Sequence, residues 1–289
     1  MKLNKLVIFG VGLIGGSLAL ALKQAGVVGE IIGVGRSRAN LEQALALGII
    51  DRIALDVVDA VNDADMVVLA VPVGQMAMIM QAIAPHLADY TIVTDAGSTK
   101  QDVVALMQQY LPQQLTCCVP AHPIAGAELS GATAAQKNLY QGKNLILTPL
   151  AQTTDTALQR VREMWQLSGA KVSEMHAIEH DAIFATVSHL PHLLAYALVD
   201  MIVQRDNADV LFDFAASGFR DFTRIAASSP EMWCDIALAN KTALLAELDA
   251  YQAKLNQLRA ALMVSDGDSL TQIFSRAQAA RQAWQVRLV

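Results

Sequence analysis

The sequence predicts an α/β domain followed by a helical domain, and three observations support this expectation. An apolar strand near the N-terminus leads into a glycine-rich turn and an apolar helix, over residues 6–22. Short apolar runs then alternate with helical segments as far as residue 175, which is typical of a parallel sheet covered on both faces. Beyond that residue the apolar spacing is helical. We therefore expect a sheet-bearing domain over residues 1–175 and an all-α domain over residues 176–289.

The composition is that of a compact globular protein. Its 289 residues suffice for two domains, and 54% of them are hydrophobic while 17% are charged. The net charge of −6 and the lack of a basic run argue against a nucleic-acid partner. The cysteines, at 117, 118 and 234, fit neither a disulfide framework nor a zinc spacing. We expect a cytoplasmic protein with neither a membrane nor a nucleic-acid partner.

Residues 6–22 carry no charge, so a membrane span and a signal peptide have to be considered. The run is shorter than the roughly 20 apolar residues that a spanning helix needs, and each glycine disfavours a helix interior by about 1 kcal/mol. A signal peptide fits the basic start and the Ala-Leu-Ala sequence at 19–21 better, but the glycines argue against it as well. The remaining interpretation is a strand over 5–9, a tight turn and a helix over 14–25.

In this context three glycines form the G-x-G-x-x-G fingerprint of a Rossmann-type, doubly wound dinucleotide-binding domain. Gly10 permits the turn, Gly12 lets the backbone approach a pyrophosphate, and Gly15 lets strand and helix pack closely. The helix N-terminus supplies free N–H groups and a partial positive charge for the phosphates. The residues expected to bind the cofactor are Gly10, Gly12, Leu13, Ile14, Gly15, Arg36, Ser37, Arg38, Val71 and Pro72.

The end of the second predicted strand, over 30–35, bears on the choice of cofactor. NAD-binding domains use an acidic residue there for the ribose hydroxyls, whereas a nearby arginine suits the 2′-phosphate of NADP. Here the strand is followed by Arg36, Ser37 and Arg38, with no acid. Two interpretations stay open, tolerance of or preference for NADP, and a solvated basic loop. We expect NAD or NADP as the cofactor.

Two polar loops, 95–100 and 120–126, follow predicted strands at the C-terminal ends, where open α/β sheets bind ligands. His122 is the candidate general base, since its reference pKa near 6.5 suits proton exchange at neutral pH. Ser98 could hydrogen-bond the imidazole or a substrate hydroxyl. The alternative is that His122 is only a half-buried polar residue. Strands are also expected over 64–72, 90–94, 116–119, 144–148 and 170–175.

Four histidines fall in one segment, at 176, 180, 189 and 192. The sequence has no H-E-x-x-H motif and no cysteine nearby, so we expect no metal. His189 and His192 share a helix face, where they could hold a carboxylate or, alternatively, cap and pack around a kink at Pro191. Arg224, in the polar segment 217–230, could bind a carboxylate bidentately or be an exposed helix arginine.

Helices are predicted over 179–204, from Pro230 onward and after Gly267, with Ser269 capping the last one. The helix that begins at Pro230 is expected to be the longest. It carries a narrow apolar seam of the coiled-coil type, which could serve core packing or dimerisation, and we favour a homodimer. The seam consists of Leu244, Leu248, Tyr251, Leu255, Leu258 and Leu262.

Five motifs together resemble the prephenate dehydrogenase family, which includes the arogenate and cyclohexadienyl dehydrogenases of tyrosine biosynthesis. The resemblance covers nearly the whole chain. The first motif is common to many dehydrogenases, whereas the other four are specific. The motifs are G-V-G-L-I-G-G-S at 10–17, D-A-G-S-T-K at 95–100, H-P-I-A-G-A-E at 122–128, H-D at 180–181 with S-H-L-P-H at 188–192, and G-F-R-D-F-T-R-I-A at 218–226 with Trp233.

This resemblance implies oxidative decarboxylation of a cyclohexadienol, prephenate or arogenate, with hydride transfer to NAD(P). It implies that His122 takes the proton of the ring hydroxyl and that Ser98 orients both His122 and that hydroxyl. Arg224 and His192 would anchor the carboxylate-bearing ends of the substrate, and Trp233 would approach from the partner subunit. The other residues expected at the substrate are Ser188, His189 and Glu128.

One departure from the family pattern and two rival functions remain. Ala127 stands where a hydroxyl-bearing residue often precedes the glutamate, which leaves the choice between prephenate and arogenate open. A 3-hydroxyacid dehydrogenase would use a lysine in its helical half, and no lysine lies between Lys171 and Lys241. A non-catalytic, dimeric dinucleotide sensor would bind the cofactor without turnover.

Overall fold

The computed structural model describes residues 2–126 and 129–286 of the chain. The chain forms two compact units, 1–241 and 242–289. Among the described residues, the first unit contains all the strands and the residues of the candidate site, and the second is helical. The division expected near residue 175, between a sheet-bearing and a helical part, stays a prediction.

The first part of the chain builds a parallel sheet. Its strands are β1 (Leu3–Phe9), β2 (Val28–Val34), β3 (Arg52–Ile53), β4 (Met66–Leu69), β5 (Ile92–Asp95) and β6 (Cys118–Val119). The helices between them are α1 (Leu13–Ala25), α2 (Arg38–Ala46), α3 (Val57–Val61), α4 (Met76–Ile83) and α5 (Gln101–Tyr110). The strand order is β3-β2-β1-β4-β5-β6. Every residue of β4 is buried, as the near-continuous apolar run there predicts, and the Rossmann-type fold class is confirmed.

A separate three-stranded sheet carries the candidate base. Its elements are β7 (Ala121–Pro123), β8 (Asn144–Leu147), α6 (Asp155–Leu167) and β9 (Lys171–Glu174). Strand β7 runs antiparallel to β8, and β8 runs parallel to β9. The loop predicted over 120–126 therefore contains a strand. Pro120 has no N–H and interrupts the ladder after β6, and the residues beyond it pair with 145–147 instead.

A long helical segment follows, made of α7 (Ala177–Phe184), a π-helical turn (Ala185–His189) and α8 (Leu190–Val203). The irregularity predicted at Pro191 lies just before it, because proline cannot donate the backbone hydrogen bond that would close a regular turn. By length and composition alone this segment is apolar enough to cross a membrane. His180 and Asp181 within it, however, are buried polar residues of the first unit.

The first unit ends with α9 (Ala208–Asp213), α10 (Ser217–Thr223), a 3-10 turn (Arg224–Ala227) and α11 (Pro230–Ala239). The helix predicted from Pro230 onward is wrong in one respect, since it is interrupted at Asn240. The side chain of Asn240 donates to the carbonyl of Asp181 at 2.8 Å and contacts His189 at 3.0 Å. These tertiary hydrogen bonds override the helical pattern of the sequence.

The second unit consists of most of α12 (Lys241–Met263) together with α13 (Gly267–Val286). The cap predicted at Ser269 is wrong. The carboxylate of Asp266 caps α13, because it accepts hydrogen bonds from the Ser269 N–H at 3.0 Å and the Ser269 hydroxyl at 2.7 Å. Leu255 and Leu262 of the seam are 47% and 65% exposed, so the chain leaves much of this stripe uncovered.

Candidate active site

The turn between β1 and α1 has the geometry of a phosphate cradle. Gly10 has a φ of +92°, and a side chain there would meet the carbonyl oxygen of Ala70 at 2.3 Å. A side chain at Gly15 would meet the Gly10 oxygen at 2.2 Å, so strand and helix need both glycines. Gly12 faces open space, and it gives α1 no side-chain cap. The first N–H groups of α1, at Leu13 and Ile14, therefore have no side-chain cap at Gly12, and such a helix N-terminus is suited to bind a pyrophosphate.

The residues after β2 are exposed and largely engaged with each other or with α11. Ser37 caps α2, and Arg38 pairs with Glu42 one turn later. Arg36 lies 3.6 Å from Glu231 of α11, and both side chains are mostly exposed. The end of β2 has no acidic residue in the sequence, but Glu231, from a distant part of the sequence, is therefore present near it in the structure. Val71 and Pro72 lie two and three residues after the end of β4 and are half-buried.

A buried hydrogen-bond relay starts at His122 on β7. Its Nδ1 lies 2.8 Å from Nε2 of His180, and Nδ1 of His180 lies 2.8 Å from Oδ1 of Asp181. The Asp181 carboxylate also accepts from the backbone N–H groups of Lys100 and Gln101, at 2.8 Å and 2.9 Å. These are the residues at the N-terminus of α5, whose partial positive charge favours an anion. The relay therefore joins β7, α7 and α5.

The relay fixes which ring nitrogens carry protons. Burial alone would raise the pKa of Asp181, but hydrogen bonds from His180 and from the N–H groups of α5 lower it, so the carboxylate is ionised. It accepts from Nδ1–H of His180, which leaves Nε2 of His180 to accept from Nδ1–H of His122. Burial lowers the pKa of His122 well below its usual range, and the charges of His180 and Lys100 act in the same direction. His122 is thus neutral at pH 7, with a lone pair on Nε2.

Ser98 differs from the expectation that it orients His122. It is half-buried on the loop after β5, and within the described part of the chain it makes no side-chain hydrogen bond to His122. His180, on α7, contacts the Nδ1 atom of His122 instead. His180 and Asp181 belong to one of the family motifs in the sequence, but no role was predicted for them. Their adjacency, with a carboxylate directly after a histidine, was the available signal.

A second polar cluster surrounds Trp233. The His192 ring stacks on its indole, with centroids 3.6 Å apart and planes 19° from parallel. The His192 Nδ1–H donates to the Ser188 carbonyl at 2.9 Å. Burial lowers the pKa of His192, and the nearby Arg224 charge lowers it as well. In this chain α11 places the indole on His192 of the same chain, and the expectation that a partner subunit supplies Trp233 stays a prediction.

Two buried N–H donors in this cluster have no hydrogen-bond partner among the described residues, Nε1 of Trp233 and Nε2 of His189. Asn240 donates to Nδ1 of His189, so Nε2 carries the ring proton. The backbone of Ser98 raises the pKa of His189 slightly, but no acceptor meets hydrogen-bond geometry at Nε2. Burial nevertheless lowers this pKa to about 4. Unpaired buried donors are costly, and an anionic ligand group would satisfy them.

The remaining predicted residues are placed as follows. Arg224 is exposed at the start of the 3-10 turn. Glu128, like Ala127, lies outside the described residues. Over 2–126 and 129–286 the structure brings no group of three or more His, Cys, Asp and Glu side chains into a metal-binding arrangement.

The glycine cradle and a neutral, buried histidine with a free Nε2 define the class of a nicotinamide-dependent dehydrogenase. The model of the prephenate dehydrogenase nucleotide-binding domain matches residues 18–174, and that of the prephenate dehydrogenase dimerization domain matches residues 176–276. The chain belongs to the prephenate dehydrogenase family.

Individual relatives agree with this assignment. The cyclohexadienyl dehydrogenase of Zymomonas mobilis is 39% identical, over 96% of this chain and 95% of its own length. The prephenate dehydrogenase of Aquifex aeolicus, solved with hydroxyphenyl propionate and NAD+, is 34% identical with a TM-score of 0.90, over 98% of this chain and 99% of that one. The arogenate dehydrogenase of Synechocystis is 28% identical with a TM-score of 0.80, over 97% of this chain and 99% of that one. The expected class, an NAD(P)-dependent dehydrogenase of this family, is confirmed.

Proposed function

We propose that the protein catalyses the oxidative decarboxylation of prephenate, arogenate or both, in tyrosine biosynthesis, with His122 as the general base. The observation that carries this proposal is the relay from Asp181 through His180, which leaves Nε2 of a neutral His122 as a proton acceptor. A base at this place suits a substrate with a hydroxyl on the carbon that is oxidised. The bound nicotinamide supplies the hydride acceptor.

The bonds and charges balance without any further reactant. His122 Nε2 takes the proton of the ring hydroxyl while hydride leaves the same carbon. The C–C bond to the ring carboxylate then breaks, CO2 departs, and its electron pair completes the aromatic ring. The protonated His122 can return its proton to the phenolate oxygen, so no net proton is consumed. Formation of the aromatic ring makes the step effectively irreversible.

The cluster around Trp233 supplies the binding of the substrate's carboxylate groups in this proposal. The unpaired N–H groups of Trp233 and His189 are neutral donors, and Arg224 adds a cation beside His192. A neutral His192 offers an acceptor at Nε2, since its Nδ1 proton is used by Ser188, and it suits a hydroxyl or an amino group better than a carboxylate. An acidic protein with a net charge of −6 needs such a local set of donors for an anionic substrate.

Cofactor choice, assembly and location complete the proposal. Arg36 beside an open cradle suits the 2′-phosphate of NADP, whereas its ion pair with Glu231 counts against a further anion, so we propose that both cofactors are accepted.

The match to the family's dimerization domain and the exposed seam of α12 support a homodimer. The composition and the cysteine usage support a cytoplasmic location.

The test is an absorbance assay of the reduced nicotinamide that crosses prephenate and arogenate with NAD and NADP. Turnover of at least one substrate supports the proposed function, and the pattern of rates decides substrate and cofactor preference. Cofactor binding without turnover of either substrate would instead support the dinucleotide sensor. Turnover of 3-hydroxyacids alone would support the other rival.

A further inference from the structure

A buried ion pair lies next to the relay but is not part of it. The side chains of Lys100 and Asp95 are both fully inaccessible, and Lys100 Nζ lies 2.5 Å from Asp95 Oδ2. Removing two charges from water costs several kcal/mol per ion, and a pair of apolar residues of similar size is often as stable. A contribution to the stability of the fold therefore does not by itself explain why a buried ion pair is present here. Its hydrogen bonds indicate what else it does.

The pair fixes the residue that precedes the base. The N–H of Ala121 donates to Asp95 Oδ1 at 2.9 Å, and the Ala121 carbonyl accepts from Lys100 Nζ at 2.8 Å. Both backbone polar groups of Ala121 are thus held by the two charges, while the next residue, His122, pairs with Ile146 of β8. The ion pair therefore joins β7 of the second sheet to the end of β5 in the first.

The same segment also holds the far end of the relay. The backbone N–H of Lys100 donates to Asp181 Oδ1 at 2.8 Å, and Asp95 Oδ2 accepts from the N–H of Gly97 at 2.7 Å. Lys100 thus contacts the strand that carries His122 through its amine and the last carboxylate of the relay through its backbone. A shift of this residue would move both ends of the relay.

We propose that Lys100 and Asp95 are positioning residues for His122, which hold β7 so that the Nε2 lone pair of His122 keeps its place relative to the substrate hydroxyl. This inference rests on the proposed function. The Lys100 charge also contributes to the lowered pKa of His122, so its loss should change the pH dependence as well as the rate. A misplacement of about 1 Å can cost about 10²-fold in rate.

The test uses the full chain with the double variant D95N/K100M, which removes both charges and keeps an oxygen at 95 for the Ala121 N–H. We expect kcat to fall about 10- to 100-fold, an unchanged Kd for the cofactor, and a shift of the acidic limb of the kcat profile to higher pH. D95N/K100Q, which also removes both charges but keeps a hydrogen-bond donor at 100, is a milder variant for the case that D95N/K100M does not fold. Lys5→Met is the matched control, because the Lys5 amine also donates to two carbonyl oxygens, those of Asp59 and Asn62.

A merely structural role would lower Tm in the double variant and leave kcat and the pH profile of the folded protein as they are. A folded variant with kcat within about twofold of the unchanged protein and the same acidic limb would overturn the inference. Absence of turnover in the unchanged protein would overturn the proposed function and this inference with it. An active unchanged protein with unaffected variants would overturn the inference alone.

Discussion

In the relay, the Nδ1 atom of His122 has a hydrogen-bond partner in the protein. In the cluster around Trp233, by comparison, two buried N–H donors have no hydrogen-bond partner among the described residues. Both regions lie in the first unit and both are built largely from histidines on the segment 177–203 and its neighbours. The hydrogen bonds of the relay are therefore formed before any substrate binds, and they require charged groups to be buried. The cluster around Trp233, by contrast, keeps donors unpaired for a ligand. The two regions should accordingly respond to mutation in different kinetic constants.

The largest effect is expected from a lesion in the relay. His122→Asn should lower kcat by about 10²- to 10⁴-fold, the usual range for a general base, and leave the Kd of the cofactor unchanged. Steady-state kinetics and a binding titration measure the two quantities. His176→Asn is the control, since His176 is an exposed histidine one residue before α7. Unchanged turnover would remove His122 from the mechanism.

A titration of stability should report the burial of the neutral histidines in both regions. Burial lowers the pKa of His189 to about 4, and the pKa values of His122, His180 and His192 are lowered too. Unfolded histidine titrates near 6.5, so the unfolded state binds more protons below that pH. The free energy of unfolding should thus be unaffected above pH 6.5 and fall between 6.5 and 4, by about 3 kcal/mol for His189 alone.

Urea unfolding at a series of pH values measures this loss. His189→Gln should flatten the slope between pH 6.5 and 4 by the contribution of that ring. Burial raises the pKa of the half-buried Asp102, which acts with the opposite sign, so the comparison with His189→Gln isolates the histidine contribution. A midpoint that stays constant from pH 7 to pH 4.5 would contradict the buried, neutral state of these rings.

Substitution of Arg224, the cation of the cluster around Trp233, should change KM. Arg224→Gln should raise KM for the substrate about 10- to 100-fold with little change in kcat, because the contact is made in the ground state and the transition state alike. Arg220→Gln, an exposed arginine on α10, is the control. A normal KM would place the carboxylate anchor elsewhere.

The smallest effect is expected from the loss of one neutral donor. Trp233→Phe keeps an aromatic ring to stack on His192 and removes only the Nε1–H, so KM should rise about 10-fold. Trp284→Phe on α13 is the matched control, since that indole is 52% exposed. A fall in kcat with an unchanged KM would contradict the expectation that the two regions affect different kinetic constants.

The two regions also differ in what the sequence could predict. The cradle follows from a local spacing, because Gly10, Gly12 and Gly15 serve one turn. His122 was accessible because ligands bind beyond strand ends. Its relay partners were not, since His180 lies 58 residues further along the chain and no spacing rule joins them. That Ser98 makes no side-chain hydrogen bond to His122 among the described residues was hidden for the same reason, and its predicted contact with the substrate hydroxyl stays a prediction.

Tertiary contacts decided the other differences as well. The helix predicted from Pro230 onward is interrupted because Asn240 is held by Asp181 and His189, which local helix patterning does not show. The unpaired donors of Trp233 and His189 likewise depend on packing that brings α11 to the π-helical turn. Element type was therefore predictable from local sequence, whereas the hydrogen bonds of the site were not.

The most direct test of this account is nitrogen-15 NMR of the histidine rings in the ligand-free protein at pH 7. The account predicts opposite tautomers in the two regions, with the proton on Nδ1 in His122 and on Nε2 in His189. It also predicts that His122 stays neutral well below pH 6.5. A proton on Nε2 of a neutral His122, or a His122 ring that titrates above pH 6.5, would contradict it.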